Sequence, residues 1–372
     1  MQLKIALLGG DGIGPEVLAE SVKCLQAVAE TFNHNFTFEK VPIGAIAIEK
    51  YGTPLPKKTL EVCADSDASL FGTIGTPEYD NSPSLSIRPE QGLLQLRKEL
   101  GLFANVRPVM MFPEIIKNSP LSKKMVAGTD FEIYRELSGG IYYGEKKLEN
   151  NGTLATDQCS YSEKEISRIA HKAFKAAKKR RKKVTLVDKA NVLETSRLWR
   201  KVVMTISESY PEVTLECLYI DNAAVQLLLN PTAFDIILTS NMFGDVLSDQ
   251  GSVIIGSQGL LPSASIGEYH CMFEPVHGSY PQAKGLNKAN PVASIFSASL
   301  LLSHFGLKEE SRAVIASVRK SFKKKIVTPD ILGSSKYGTN YVGDFIADHI
   351  TDIDDDMNMN DENIGLGKST II

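Results

Sequence analysis

Short apolar runs alternate with longer amphipathic stretches over most of this chain. The apolar runs predict strands at residues 3–8, 68–74, 183–187, 213–219 and 234–238. The amphipathic stretches predict helices from Pro15 to about Thr31 and at residues 91–100 and 193–209, and residues 289–305 predict a buried helix because they are apolar on most faces. Strands that alternate with helices favour a layered α/β fold.

Two segments depart from this alternation. Residues 136–156 are rich in glycine, tyrosine and asparagine and contain a turn-like Asn-Asn-Gly, which predicts a β-arm or long hairpin that embraces a partner subunit. Residues 351–372 lack periodicity and carry six acidic residues against one lysine, so we expect most of this tail to be disordered.

Composition narrows the class of protein. The 372 residues suffice for roughly two to three domains. Lysine and arginine total 41 and aspartate and glutamate 44, a net charge of −3, which excludes a strongly basic nucleic-acid binder as the default. No apolar run approaches the roughly 20 residues that span a bilayer. The five cysteines are widely spaced without a Cys-x-x-Cys pair, and no export signal precedes the first strand, which together indicate a reducing, cytoplasmic setting.

The glycine-rich residues 9–14 sit where a strand passes into a helix, as in a dinucleotide-binding turn. They do not match the Gly-x-Gly-x-x-Gly spacing of a Rossmann fold, because Pro15 follows Gly14. A tight turn and a cofactor edge both remain open from the residues alone.

Charged residues supply the candidates for chemistry. Arg97, Arg107 and Arg135 individually suit exposed ion pairs, but together they suit a di-acid substrate, because guanidinium groups bind carboxylates bidentately. Asp245 and Asp249 lie one turn apart on a helix that Asn241 is placed to cap. The apolar residues around them predict a mostly buried helix, where paired carboxylates require a cation such as Mg²⁺ or Mn²⁺.

Five further features leave alternatives open. Asp221 follows a strand and is a candidate third metal ligand, while Lys189 suits either a salt bridge or a general base. Tyr142 suits arm packing or a proton donor. The turn His277-Gly278-Ser279 and the later Asn290 suit the binding of adenosine, and the basic run 172–183 suits a solvated helix face better than a nuclear signal.

Several motifs in this order resemble the β-decarboxylating dehydrogenases over about residues 2–350. They are residues 10–16 (GDGIGPE), 96–97 (LR), 105–108 (NVRP), 188–192 (DKANV) and 241–249 (NMFGDVLSD). Residues 88–97 (RPEQGLLQLR) are similar to the isopropylmalate branch, because Leu93 and Leu94 stand where isocitrate enzymes carry a polar residue. The resemblance implies NAD-dependent oxidative decarboxylation of 3-isopropylmalate in leucine biosynthesis, with D-malate, tartrate and homoisocitrate enzymes as the nearest rivals.

The resemblance also implies a role for each matched residue. It assigns the substrate carboxylates to Arg97, Arg107 and Arg135, the apolar wall to Leu93, Leu94 and Val192, proton transfer to Lys189 and Tyr142, the metal to Asp221, Asp245 and Asp249, and the NAD site to Ile13, Glu90, Gly259, His277, Gly278, Ser279, Gln282 and Asn290. Lys189 and Asp221 are expected from the partner of a homodimer with shared active sites.

The implied fold is a two-domain isopropylmalate-dehydrogenase-like α/β fold, not a Rossmann fold. Residues 1–103 and 256–350 form the first, cofactor-side domain, and residues 104–255 form the second, which carries the arm and the dimer interface. One position departs from the family pattern: Gln282 stands where His-Gly-Ser-Ala-Pro-Asp ends in aspartate, which normally meets the adenosine ribose.

Overall fold

The computed structural model describes residues 1–80 and 87–350, so the acidic tail lies outside the described residues. Strands β1 to β12 are Gln2–Gly10, Asn35–Lys40, Ala68–Thr73, Ala104–Met110, Asp130–Glu136, Lys146–Glu149, Leu154–Asp157, Lys183–Asp188, Thr214–Tyr219, Ile236–Thr239, Pro262–Ile266 and Cys271–Pro275. Helices α1 to α13 are Gly14–Thr31, Ala45–Tyr51, Lys57–Ala64, Pro77–Asp80, Pro89–Glu99, Lys123–Val126, Glu163–Lys178, Glu194–Ser207, Ile220–Leu229, Asn241–Ile255, Val292–His304, Lys308–Lys324 and Thr339–Asp348. The predicted strands and helices are present, with ends displaced by a few residues.

Ten of these strands form one sheet in the order β2-β1-β3-β12-β11-β4-β5-β10-β8-β9. Strands β2, β1, β3 and β12 are mutually parallel, as are β5, β10, β8 and β9, whereas β11 and β4 run antiparallel to their neighbours. The carboxyl ends of each parallel set therefore meet at one edge, where loops and helix starts place polar side chains. This mixed sheet confirms the predicted α/β class.

The strands divide between the two predicted domains. Residues 1–103 and 256–350 supply β1–β3, β11 and β12, and residues 104–255 supply the other sheet strands, so the two sets meet at the β11–β4 pair. The largest apolar cluster nevertheless contains residues of both sets, such as Leu70 and Ile133. The domain boundaries therefore remain a prediction.

The central helix α11 is buried along nearly its whole length, from Val292 to Leu302, as its apolar sequence predicts. Strands β6 and β7 form a separate antiparallel hairpin whose residues are all exposed. The arm is therefore present but shorter than residues 136–156, because Glu136 ends β5 and the hairpin itself begins only at Lys146 and ends at Asp157. Within the described residues, no helix has the length and apolar character needed to cross a membrane.

Two local expectations were wrong, and a third holds only in part. Helix α10 has eight of its 15 residues buried, as predicted, but Val246 and Val253 are 54% and 41% exposed. Asn241 does not cap this helix; Ser240 holds the cap position, and the Asn241 side chain is used elsewhere. The basic run is not a wholly solvated face, because Arg180 is buried against Asp235 and two other acids.

Candidate active site

Three arginines lie close together near the middle of the sheet. Arg97 lies in the last turn of α5, Arg107 in β4 and Arg135 in β5, and all three are buried. Burial lowers the pKa of Arg107, and burial together with the Arg107 charge lowers the pKa of Arg135 to about 9. Like charges buried this closely require anions nearby.

Asp245 supplies one of those anions. Its Oδ1 accepts hydrogen bonds from Nη1 of Arg135 and, at 3.3 Å, from Nη1 of Arg107, while its Oδ2 accepts one from the Tyr142 hydroxyl at 2.9 Å. Burial acts to raise the pKa of Asp245, but the two guanidinium charges outweigh it and lower that pKa. The structure thus brings together four residues that the sequence nominated separately.

Glu274 supplies a second anion. Its Oε1 accepts from Nη2 of Arg97 at 2.6 Å and from the Ser265 hydroxyl at 3.2 Å. Asn105 donates to Ser265 at 3.0 Å and accepts from Nε of Arg107 at 2.6 Å. A buried hydrogen-bonded chain therefore joins Arg97 to Arg107 across the β11–β4 pair, and such a chain restricts the positions of its members.

Asp249 is the second carboxylate of α10 that faces this cluster. Burial and the nearby Asp245 charge raise the pKa of Asp249, which indicates that the two carboxylates lie close together. Paired oxygen donors of this type suit Mg²⁺ or Mn²⁺. Among the described residues of one chain, no group of three histidine, cysteine or acidic side chains is placed to hold a metal ion.

Lys189 and Asp221 form a separate pair. They follow β8 and β9, and the Lys189 amino group lies 2.5 Å from Oδ1 of Asp221. The Asp221 side chain is 66% exposed, so this pair faces away from the core of its own chain. Beside it, Arg200 holds the buried Asp188 through two hydrogen bonds of 2.8 and 2.7 Å, which fixes the end of β8.

A cavity of about 470 Å³ opens where β1 and β12 end. Its lining includes five of the predicted cofactor residues, namely Ile13, Gly259, His277, Gly278 and Asn290. Nε2 of His277 is buried without a hydrogen-bond partner among the described residues, and burial lowers the pKa of this histidine. A buried, unpaired ring nitrogen in a concave site suits a polar ligand such as a nucleotide.

The other predicted cofactor residues lie around this cavity rather than in its lining. Ser279 is buried, and its carbonyl accepts from the Ile13 amide at 2.8 Å. Glu90 lies beside Gly75, where a Cβ would come within 2.6 Å of its carboxylate. Gln282 is exposed, in a short 3₁₀ helix.

The glycine-rich turn packs mainly against the protein itself. Gly10 and Gly12 have positive φ angles, and a Cβ at either would lie 1.9 Å from a backbone oxygen, of Thr73 and Ser279 respectively. Between them, the buried Asp11 carboxylate accepts from the amides of Ala45 and Gly75. The glycines therefore serve a tight turn that seats Ile13 at the cavity.

The predicted apolar wall is divided between two places. Leu93 and Leu94 are half-buried on α5; Leu93 packs on the apolar cluster around Leu8 and Phe71, and the Leu94 carbonyl accepts from the Tyr143 hydroxyl at 3.3 Å. Val192 is 61% exposed in the loop that follows Lys189. Val192 thus lies beside Lys189, whose carbonyl accepts from the Val192 amide at 3.0 Å, and not on α5 with Leu93 and Leu94.

The chain is similar to known proteins over nearly its whole length. Residues 4–346 match the family described as isocitrate/isopropylmalate dehydrogenase. The chain belongs to this family. It is 49% identical to the 3-isopropylmalate dehydrogenase of Bacteroides fragilis over 352 residues, which cover 94% of this chain and 99% of that one. It is 46% identical to the enzyme of that name from Aquifex aeolicus, over 95% and 98% of the two chains.

Solved structures agree with this family assignment. Isocitrate dehydrogenase from Methylococcus capsulatus superposes with a TM-score of 0.85 at 32% identity, over 94% of this chain and 99% of that one. A β-decarboxylating dehydrogenase from Thermococcus kodakarensis in its apo form gives a TM-score of 0.75 at 33% identity, over 94% and 96%. The chain is therefore a dehydrogenase with the fold that its sequence resembles.

Sequence reasoning missed the residues that support the family's site in this chain. Glu274 and Ser265 lie in strands that carry no charged pattern, and Asn105 was noted only as part of a motif. Asp330 accepts from Asn290 at 3.0 Å and from Ser257, and it lines the 470 Å³ cavity although it lies far along the chain from both. Only the pairing of buried strands and loops brings these residues to the site.

Proposed function

We propose that this chain catalyses the NAD-dependent oxidative decarboxylation of 3-isopropylmalate to 4-methyl-2-oxopentanoate and CO₂, a step of leucine biosynthesis. The observation that carries the proposal is the cluster of Arg97, Arg107 and Arg135 around Asp245 and Tyr142, in a chain that also has a cavity of about 470 Å³ lined by predicted cofactor residues. Identity of 46–49% with enzymes of that name over nearly the whole chain supports it.

The arginines account for binding of the di-acid. Guanidinium groups bind carboxylates through paired hydrogen bonds, and buried guanidinium groups bind them more strongly than solvated ones do. In the unliganded protein the Asp245 carboxylate is the ion-pair partner of Arg107 and Arg135. Leu94, next to Arg97 on α5, supplies apolar surface that suits an isopropyl group better than a third carboxylate.

Proton transfer is assigned to two side chains. Nζ of Lys189 takes the proton of the substrate hydroxyl, with Asp221 holding the amino group in place. The hydroxyl of Tyr142 returns a proton to the carbon from which CO₂ has left. Burial and the charge of Asp245 raise the pKa of Tyr142, so the hydroxyl keeps its proton until it is needed.

Two bound groups complete the chemistry. Asp245 and Asp249, with Asp221 of a second chain, would hold Mg²⁺ or Mn²⁺, which stabilises negative charge on the reacting oxygens when bound. Ile13, Gly259, His277, Gly278 and Asn290 would hold NAD, which accepts the hydride when bound. Glu90, Ser279 and Gln282 are assigned to the edge of the same cofactor site.

A homodimer with shared active sites is supported by exposed apolar side chains on α9 and α10. Val225, Leu229, Val246 and Val253 are all more than a third exposed, an unusual density of apolar side chains on two helices in contact. Asp221 lies in the first turn of α9 with its side chain 66% exposed, and Lys189, which follows β8, contacts it. A second copy that covers this face would bring its Lys189 and Asp221 toward Asp245.

The free thiols of all five cysteines support a cytoplasmic setting.

The direct test is production of NADH by the purified chain. We expect NADH and CO₂ in equal amounts with 3-isopropylmalate, NAD and Mg²⁺, and no activity after chelation of divalent ions. D-malate, tartrate and homoisocitrate should give a lower kcat/KM. A higher kcat/KM with one of these three acids would contradict the substrate assignment but leave the family assignment intact.

A further inference from the structure

Asn241 is buried at the start of α10 and makes contacts that a helix cap does not make. Its side-chain oxygen accepts from Nε of Arg135 at 3.0 Å, and its side-chain nitrogen donates to the carbonyl of Gly139 at 3.1 Å. Its backbone amide donates to the hydroxyl of Tyr161 at 2.9 Å. Asn241 thus connects the helix that carries Asp245 to a substrate arginine and to the loop that leads to Tyr142.

The two partners fix the orientation of the amide. Nε of Arg135 can only donate and the Gly139 carbonyl can only accept, so the oxygen and nitrogen of Asn241 have one arrangement that satisfies both. Asn241 is 1% exposed, so water does not substitute for either contact without opening the site. Neither aspartate nor alanine can make both bonds.

Helix α10 grips Arg135 from two sides. Asn241 binds its Nε, and Asp245, one helical turn later, binds its Nη1. Between them, Gly244 lets the helix approach closely, since a Cβ there would lie 2.7 Å from Cβ of Arg135. The position of the guanidinium is therefore set by this helix rather than by β5 alone.

We propose that Asn241 is a positioning residue that fixes the Arg135 guanidinium for the substrate carboxylate and, through Gly139, the loop that places the Tyr142 hydroxyl. The inference rests on the proposed function, in which Arg135 binds substrate and Tyr142 returns the proton. Its two contacts serve different steps, so variants that break one or both should separate substrate binding from turnover.

The experiment compares Asn241→Asp with Asn241→Ala. Aspartate keeps an oxygen for Arg135 but turns its other oxygen toward the Gly139 carbonyl, where two acceptors repel. We expect Asn241→Asp to keep the KM for 3-isopropylmalate within about threefold while kcat falls on the order of 10- to 100-fold, the scale of a small misplacement. Asn241→Ala should raise that KM about tenfold or more as well. The KM for NAD should stay unchanged in both variants.

Asp235→Asn is the matched control. Asp235 lies immediately before β10, whereas Asn241 follows its end, and it is equally buried, with bonds to Arg180 and to the Arg181 amide. This variant should lower Tm without changing kcat or either KM. Asn241 variants that only lower Tm in the same way, with unchanged kinetics, overturn the positioning role.

The remaining outcomes are also decisive. A wild-type chain that does not turn over 3-isopropylmalate removes the proposed function and this inference with it. An active wild type whose Asn241→Ala variant retains its KM and kcat overturns the inference alone. If Asn241→Ala does not fold, Asn241→Asp decides: a KM for 3-isopropylmalate that rises as far as kcat falls excludes separate roles for the two contacts.

Discussion

The hydroxyl of Tyr142 donates a 2.9 Å hydrogen bond to Oδ2 of Asp245, the same carboxylate whose other oxygen binds Arg107 and Arg135. One aspartate thus connects the predicted proton donor to two of the predicted substrate ligands. Any ligand that draws Asp245 away changes the surroundings of all three side chains together.

The pH dependence of turnover should reflect this bond. Burial and the Asp245 charge raise the pKa of Tyr142 above its ordinary value of 10.0, which favours the protonated phenol. A raised pKa moves loss of the proton to higher pH, so Tyr142 should cause no decline in kcat below about pH 10. Tyr142→Phe should lower kcat about 10²- to 10⁴-fold with little change in KM.

Tyr143→Phe provides the control for that variant, because Tyr143 is the adjacent tyrosine and its hydroxyl donates to the Leu94 carbonyl at 3.3 Å rather than to Asp245. It should change kcat far less. A decline in kcat near pH 8 that disappears in Tyr142→Phe would contradict the raised pKa.

Substrate choice should depend on the apolar wall. Replacing Leu93 and Leu94 with alanine should lower the preference for 3-isopropylmalate over malate, since an apolar pocket discriminates by about 10- to 200-fold per methylene group. Leu94→Ala alone should produce most of this change, because Leu93 also packs on the Leu8 cluster and its truncation should mainly lower Tm. The measurement is the ratio of kcat/KM for the two acids, and an unchanged ratio in the double variant would exclude the wall.

Shared active sites should be visible by complementation. Lys189→Ala and Arg97→Ala should each be inactive, yet a mixed dimer has one intact site, so random exchange should restore about a quarter of the wild-type sites. Activity after verified subunit exchange is the measurement. Absence of recovery would mean that Lys189 and Arg97 act within one chain.

The face that joins the two copies can be tested separately. Leu229→Asp places a charge among the exposed apolar residues of α9, and we expect an inactive monomer in sedimentation measurements. Leu286→Asp is the control, because Leu286 is similarly exposed, at 53% against 58%, but lies in the loop before α11. A Leu229→Asp dimer with full activity would place the interface elsewhere.

Coenzyme choice should respond to Gln282. A carboxylate near an adenosine ribose accepts from its 2′-hydroxyl and repels a 2′-phosphate, and Gln282 carries no charge. NAD should remain preferred, and Gln282→Asp should raise the ratio of kcat/KM for NAD over NADP by weakening the reaction with NADP. An unchanged ratio would show that this exposed side chain does not face the ribose.

Buried charge away from the site should affect stability alone. The Arg180 side chain is 2% exposed and binds Asp130, Glu132 and Asp235, so Arg180→Met removes the cation that these three carboxylates share. The free energy of unfolding should fall by about 3–5 kcal/mol, with KM unchanged. Arg181→Met, at a side chain that is 46% exposed, should cost less than about 1 kcal/mol.

The sequence alone predicts the alternation of strands and helices and nominates most of the candidate site residues. The spacing of apolar residues and the positions of turn residues predict a strand before Gly9 and a buried helix near residue 292, because both signals lie within the segment itself. Motifs such as residues 241–249 nominate Asp245 and Asp249 because both the helix spacing and the carboxylate chemistry are local properties. These signals need no knowledge of what packs against the segment.

Long-range packing sets which side chains contact one another, and no local pattern predicts these contacts. Glu274 pairs with Arg97 across 177 positions of sequence, and Asn241 turns from a predicted cap into a ligand of Arg135, because strand pairing brings distant chain segments together. Val246 and Val253 are exposed for the same kind of reason: their burial depends on what covers α10, which no pattern within the helix specifies. Local patterns fix what each residue is able to do, and long-range packing fixes the partner with which it does it.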